Sequence, residues 1–89
     1  MKKTIYSREG EILRELLRRT RIERGLTQTT LAAKLHKPQS FVAKIENGER
    51  RLDIIEFLEY ASATGTAPRL LLAKLEAALN RGTGAGVCM

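Results

Sequence analysis

The sequence predicts an all-α fold, a single compact domain of five helices, from three observations. Apolar residues recur at helical spacing along most of the chain. The apolar mass is Leu, Ile and Ala, with only two Phe, two Tyr and no Trp, a composition that suits packed helices better than a sheet. Residues that cap or break helices separate the periodic stretches, and 89 residues leave room for one domain.

Each element follows in order. Ser7 is placed to cap a first helix, with Glu9 in its first turn. Ile12, Leu13, Leu16, Leu17 and Ile22 supply its apolar side, Gly25 stops it, and Arg14, Arg18, Arg19, Arg21 and Arg24 crowd the same stretch. Thr27 caps a short second helix from Gln28 to Leu35, whose buried side is Leu31, Ala32 and Leu35. Lys37 precedes a proline and is pushed out of helical geometry, whereas Pro38 suits the first position of a third helix. That helix is expected to reach Glu46, with Val42 and Ile45 inward and Asn47-Gly48 ending it. Asp53 and Glu56 have the spacing of a capping box at the start of a fourth helix. Its Ile54, Ile55, Phe57, Leu58 and Ala61 offer more apolar contact than one face uses, and Gly65 closes it. Pro68 begins a fifth helix reaching roughly Asn80. The expected organisation is a basic arm (1–6), a folded domain (7–80) and a flexible, glycine-rich tail (81–89).

Charge placement narrows the function. Residues 1–51 hold thirteen Lys/Arg against six Glu, a balance of +7, whereas 52–89 hold three against four Asp/Glu, a balance of −1. A basic front half beside a near-neutral back half suits one face for a polyanion and another for packing or self-association. The alternative is a solvated cationic surface. A lone cysteine, Cys88, excludes an intramolecular disulfide and a cysteine-rich zinc site, and it reads as an incidental thiol. No apolar leader or membrane-length apolar run occurs, so a cytoplasmic protein without a membrane partner is expected. His36 has no companions at metal-ligand spacing and reads as an exposed turn residue. No nucleophile elbow, phosphate-cradling loop or zinc-protease motif occurs, so neither enzyme chemistry nor a cofactor is expected.

Helices two and three, joined by a few residues, have the form of a helix-turn-helix. Small residues at Ala32 and Ala33 let helix three cross helix two closely. On helix three, Gln39, Ser40 and Lys44 share the face opposite Val42 and Ile45, the arrangement a DNA major groove accepts. Gln39 can bond bidentately to adenine, and Lys44 can donate to guanine. Arg50 and Arg51 follow directly, where the chain should pass a phosphate strand, unless they are simply solvated. Phosphate contacts supply most of the affinity, and base contacts select the sequence.

The residues Gly25-Leu26-Thr27-Gln28, Leu31-Ala32, Gln39-Ser40, Val42 to Gly48 and Glu49-Arg50-Arg51 together resemble the Xre/Cro/cI-type, lambda-repressor-like helix-turn-helix family over residues 10–75. That resemblance implies that Gln28 opens helix two, touches a phosphate and braces Gln39. It implies base contacts from Gln39, Ser40 and Lys44, and backbone contacts from Asn47, with Lys37, Arg50, Arg51 and the arm residues Lys2 and Lys3 as further phosphate candidates. It also implies a buried Arg21–Glu46 pair, although both could be surface charges on residue type alone. The chain departs from the family by placing His36 where glycine is usual in the turn. A second departure is Phe41, which either presses on a thymine methyl or sugar or folds back on helix two.

Leu70, Leu71, Leu72, Leu75 and Leu79 spread around helix five more widely than one core face requires. Either the helix is covered on all sides, or Leu71, Leu72, Leu75 and Leu79 form a homodimer interface suited to an inverted-repeat operator. The expectation is a dimeric repressor that binds double-stranded DNA. Its rivals are an antitoxin-like autoregulator with an additional protein partner, and a helical interaction module with no nucleic-acid ligand.

Overall fold

A computed structural model of the chain describes residues 7–83, so the arm with Lys2 and Lys3 and the end of the tail with Cys88 lie outside the described residues. Five α-helices follow one another: α1 (Arg8–Glu23), α2 (Gln28–Leu35), α3 (Gln39–Glu46), α4 (Ile54–Ala63) and α5 (Pro68–Thr83). Among the described residues there is no strand.

The caps form as local chemistry requires. Ser7 accepts a hydrogen bond from the Gly10 amide at the start of α1, and Thr27 accepts one from Thr30 at the start of α2. Asp53 accepts from the Glu56 amide at 2.7 Å while Glu56 accepts from the Asp53 amide at 3.0 Å, a complete capping box. Two boundaries differ from expectation. Pro38 is extended and precedes α3, and α5 continues three residues past Asn80 to Thr83.

α2 packs on α3, α1 lies against α3 and α5, and α4 bridges α2 and α5. The core at their junction contains Leu17, Leu31, Ala32, Val42, Ile45, Phe57, Tyr60, Ala61 and Leu71. Each of the five helices therefore contributes at least one fully covered side chain, and the orientation of α3 depends on all the others. Three placements correct the sequence reading. Ile22, expected on the apolar side of α1, is half exposed. Ala33 is exposed, and of the two alanines only Ala32 is buried. Leu71 is 0% exposed, inside the monomer core, so it is not available to a dimer interface. α5 packs against both α1 and α4, and Leu71 is part of the core they share.

The α2–α3 turn passes through His36, which has φ 59° and ψ 41°, the left-handed conformation usually occupied by glycine. Its amide donates to Ala33 and the Lys37 amide donates to Ala32, so the last carbonyls of α2 are satisfied by this turn. Histidine tolerates the region better than a branched side chain does. His36→Val is therefore expected to unfold at about 1–2 kcal/mol lower stability than His36→Gly, as urea denaturation would show. Equal stabilities would mean that the turn relaxes out of this conformation at little cost.

Candidate nucleic-acid interface

The proposed reading surface is α3 with its flanking turns. Val42 and Ile45 are buried behind the helix, while Gln39, Ser40 and Lys44 are exposed in front of it. Lys37 and Asn47, at the two ends of α3, are exposed as well, as is Arg51. Val42 and Ile45 anchor the helix to the core behind these exposed residues.

Behind that surface lies a polar cluster that spans α1, α2, α3 and α4. Arg21 is 11% exposed along its side chain and Glu46 only 3%. Their contact is a bidentate fork: Nε of Arg21 donates to Oε2 at 2.7 Å and Nη2 donates to Oε1 at 3.0 Å. Nη1 of Arg21 donates to the Leu26 carbonyl at 2.8 Å, which ties the α1–α2 turn to the same guanidinium. Tyr60 from α4 donates to Oε2 of Glu46 at 3.2 Å, and Gln28 donates to Oε1 at 2.9 Å. The Gln28 carbonyl then accepts from Nε2 of Gln39 at 2.7 Å. Among the described residues, every buried side-chain polar atom has a partner.

The electrostatics follow from that geometry. Burial by itself would raise the Glu46 carboxyl. Hydrogen bonds from Arg21 and Gln28, the charge of Arg21 and the Tyr60 hydroxyl outweigh burial and hold it below the ordinary carboxylate range. The bond to Glu46 raises the Arg21 pKa despite burial. Burial, with the adjacent Glu46 charge, pushes the Tyr60 phenol well above its usual range, so it remains a donor.

Arg50 is placed differently from the expectation that it simply meets a phosphate. Nη1 and Nη2 of Arg50 each donate to the Glu56 carboxylate at 2.9 Å, and Nη1 also donates to the Arg51 carbonyl. The guanidinium lies 4.7 Å from the centre of the Phe41 ring, and Lys37 Nζ lies 5.3 Å from it. Phe41 is thus half-buried against the core beneath two cations, which is closer to folding back on the protein than to projecting into a groove. Glu56 is a partner that sequence reasoning missed, since its capping-box role already accounted for it. Tyr60 was missed as well; a lone aromatic in an apolar run offers no signal for its hydroxyl.

The arginines of α1 and of its C-cap also separate into distinct roles. Arg18 and Arg19 pair with Glu15 on the surface, worth little in water, and Arg24 donates to the Gly65 carbonyl at 2.8 Å. Arg14 lies across Gly48, where φ is +78° and an added Cβ would meet the guanidinium carbon at 3.0 Å. Glycine there satisfies both the backbone and the packing. Among the described residues, no helix is long and apolar enough to cross a membrane.

Comparison with known proteins places this geometry. A family model described as helix-turn-helix matches residues 17–71. An XRE-family-like protein from Pseudomonas syringae pv. tomato str. DC3000 is 51% identical, with a TM-score of 0.76 over 83% of this chain and 90% of that one. The restriction-modification controller protein C.AhdI from Aeromonas hydrophila is 33% identical, with a TM-score of 0.62 over 67% of this chain and 91% of that one. A further controller protein, C.Esp1396I, solved as a tetramer with its natural 35-base-pair operator, shares the fold at 20% identity; its TM-score is 0.75 over 82% of this chain and 96% of that one. No curated protein sequence matches significantly. The α2–α3 unit, the exposed polar face of α3 and these likenesses together make the chain a DNA-binding transcriptional regulator of the XRE-type helix-turn-helix family.

Proposed function

We propose that the protein is a repressor that binds an inverted-repeat operator as a homodimer and blocks transcription by occupancy. The observation that carries the reading is the outward set Gln39, Ser40 and Lys44 on a helix whose back is held by Val42 and Ile45. In this reading those three contact base edges, while Gln28, Lys37, Asn47, Arg50 and Arg51, with Lys2 and Lys3 of the arm, contact phosphates. The solved controller complex with its operator supports double-stranded DNA as the ligand.

The dimer has its support in an apolar groove where α4 meets α5. Leu13, Leu52, Asp53, Ile54, Phe57, Leu72 and Leu75 line it, with a volume of about 280 Å³. Ile54 is 62% exposed and Leu72 is 50% exposed, two large apolar side chains brought together at one groove where a second copy would cover them. Leu75 lines the same groove, and Leu79, one turn further along α5, is half-buried. Two-fold symmetry would present two copies of α3 to half-sites about 34 Å apart.

Selection of bound duplexes from a random library at about 150 mM salt tests the whole reading. A short inverted repeat is expected; recovery of no preferred sequence would overturn it. The contact classes separate in a second experiment. Lys44→Ala should lose about 1–3 kcal/mol on the preferred site and relax one base pair. Arg51→Ala should weaken all sequences alike and flatten the dependence on log salt by about one unit. Arg50→Ala should flatten it less, because Glu56 already offsets that charge. Equal losses for all three on every sequence would contradict this division.

A further inference from the structure

Arg50 uses only part of its hydrogen-bonding capacity within the protein, and the part it keeps has a definite direction. A guanidinium carries five N–H donors, two on each Nη and one on Nε. Nη1 donates to Glu56 Oε1 at 2.9 Å and to the Arg51 carbonyl at 2.8 Å, which uses both of its hydrogens. Nη2 donates one hydrogen to Glu56 Oε2 at 2.9 Å. The second Nη2 hydrogen and Nε–H remain. These two share one edge of the guanidinium, a fork that takes a phosphate bidentately.

Two side chains from different helices fix that fork. Glu56 is tied to the start of α4, where its Oε1 accepts from the Asp53 amide at 3.0 Å. Hydrogen bonds from Arg50 and from that amide hold its carboxyl below the ordinary range, so at neutral pH it is ionised and only accepts. The guanidinium carbon of Arg50 lies over the Phe41 ring of α3, 4.7 Å from its centre, so the ring backs the group that Glu56 grips by its end. An unrestrained arginine loses rotamer freedom when a phosphate fixes it; one already held makes its bonds without that cost.

We propose that Glu56 and Phe41 are positioning residues for DNA binding: together they hold Arg50 with its Nε–Nη2 edge ready for one operator phosphate. The inference rests on the proposed phosphate contact of Arg50. It assigns Glu56, an acidic residue on α4, a favourable part in binding a polyanion, in addition to capping its own helix.

The test uses the selected duplex with single phosphates replaced by uncharged methylphosphonates. The loss of affinity at each phosphate is a ratio, from which general effects of protein charge cancel. Arg50→Ala first identifies its phosphate as the position where that loss disappears. There Glu56→Gln and Phe41→Leu should each reduce the loss by about twofold to tenfold, the cost of ordering one long side chain, with losses elsewhere unchanged. Phe41→Tyr, which keeps the ring, should retain it. Glutamine also serves a capping box and leucine keeps apolar contact with the core, so both variants should fold. A full loss in either variant, with the Arg50→Ala effect intact, overturns the part assigned to that residue while the phosphate contact stands. A larger loss in Glu56→Gln would make Glu56 a competitor for Arg50 and overturn the inference. Losses reduced alike at every phosphate would mark general damage to the fold and overturn it too. If Arg50→Ala changes the loss nowhere, the phosphate contact fails and the inference fails with it.

Discussion

Replacing Arg21 with methionine is expected to lower unfolding stability by about 3–5 kcal/mol, because it leaves the Glu46 carboxylate buried without its counter-ion. Methionine retains much of the arginine's apolar stem, so the loss reports the charge and its bonds rather than a cavity. A domain of this size has only about 5–15 kcal/mol to lose, and each kcal/mol moves the melting temperature by about 4–8 °C. The effect comes from four elements at once. Arg21 holds Glu46 from two nitrogens and the Leu26 carbonyl from a third, and Glu46 also holds Gln28 and Tyr60.

The pH dependence distinguishes this cause from general damage. In the native protein the Glu46 carboxyl lies below its ordinary value. Its contribution is therefore complete above the unfolded value near pH 4.3 and disappears as pH falls through the lower folded value. In Arg21→Met the balance reverses, since burial raises the carboxyl when the guanidinium is absent. The folded variant then binds its proton more readily than the unfolded chain. Acidification from pH 7 to about 4.5 should consequently narrow the stability gap between variant and wild type. A gap that stays constant, or widens, would mean that Glu46 is not the group left without a partner. Replacing both, as Arg21→Met with Glu46→Leu, should recover part of the stability but not all, because Gln28 loses its acceptor, the Leu26 carbonyl loses its donor and the Tyr60 hydroxyl keeps only the longer bond to the Leu17 carbonyl at 3.4 Å.

Disrupting the α4–α5 groove should have the largest effect on binding. Ile54→Glu and Leu72→Glu both place charge in that groove at exposed positions, so the monomer should fold normally. Ile54 is the first residue of α4, where a carboxylate also suits the helix dipole. Across a two-fold axis each change would set like charges close together and desolvate them. If two linked copies engage two half-sites, losing the link should reduce affinity for the complete repeat by about 10²–10⁴-fold. Affinity for an isolated half-site should not change. Sedimentation of the wild type as a dimer at tens of micromolar, with the variants as monomers, would complete the result. Variants that remain dimeric and bind fully would place the self-association surface elsewhere. The open groove lined by Thr20, Arg24, Leu70, Ala73 and Ala77 would then be the alternative surface.

Much of this fold depends on chemistry that acts over three or four residues, and that part was legible in the sequence. Ser7, Thr27 and Asp53 cap the helices whose first turns they precede, and the spacing of Leu17, Leu31, Val42, Ile45, Phe57 and Ala61 identifies their inner faces. The outward direction of Gln39, Ser40 and Lys44 follows from the same period once Val42 and Ile45 are turned inward. The pairing of Arg21 with Glu46 had no such local signal. Five arginines in α1 look alike in sequence, and only the resemblance to a family singled out the one that the structure buries against Glu46, twenty-five positions away.

The remaining decisions belong to the tertiary structure. Leu71 and Leu72 are neighbours with the same side chain, yet one is sealed in the core and the other half exposed, because the boundary is drawn by where α1 and α4 meet α5. Arg50 is tied to Glu56 in the first turn of α4 and also lies over Phe41 of α3, a placement of its guanidinium that no residue pattern specifies. Sequence by itself determined the five helices, their caps and the face that α3 presents. Which charges are paired within the protein and which stay exposed was decided only when the helices packed, since burial and ion pairing depend on side chains brought together from different elements.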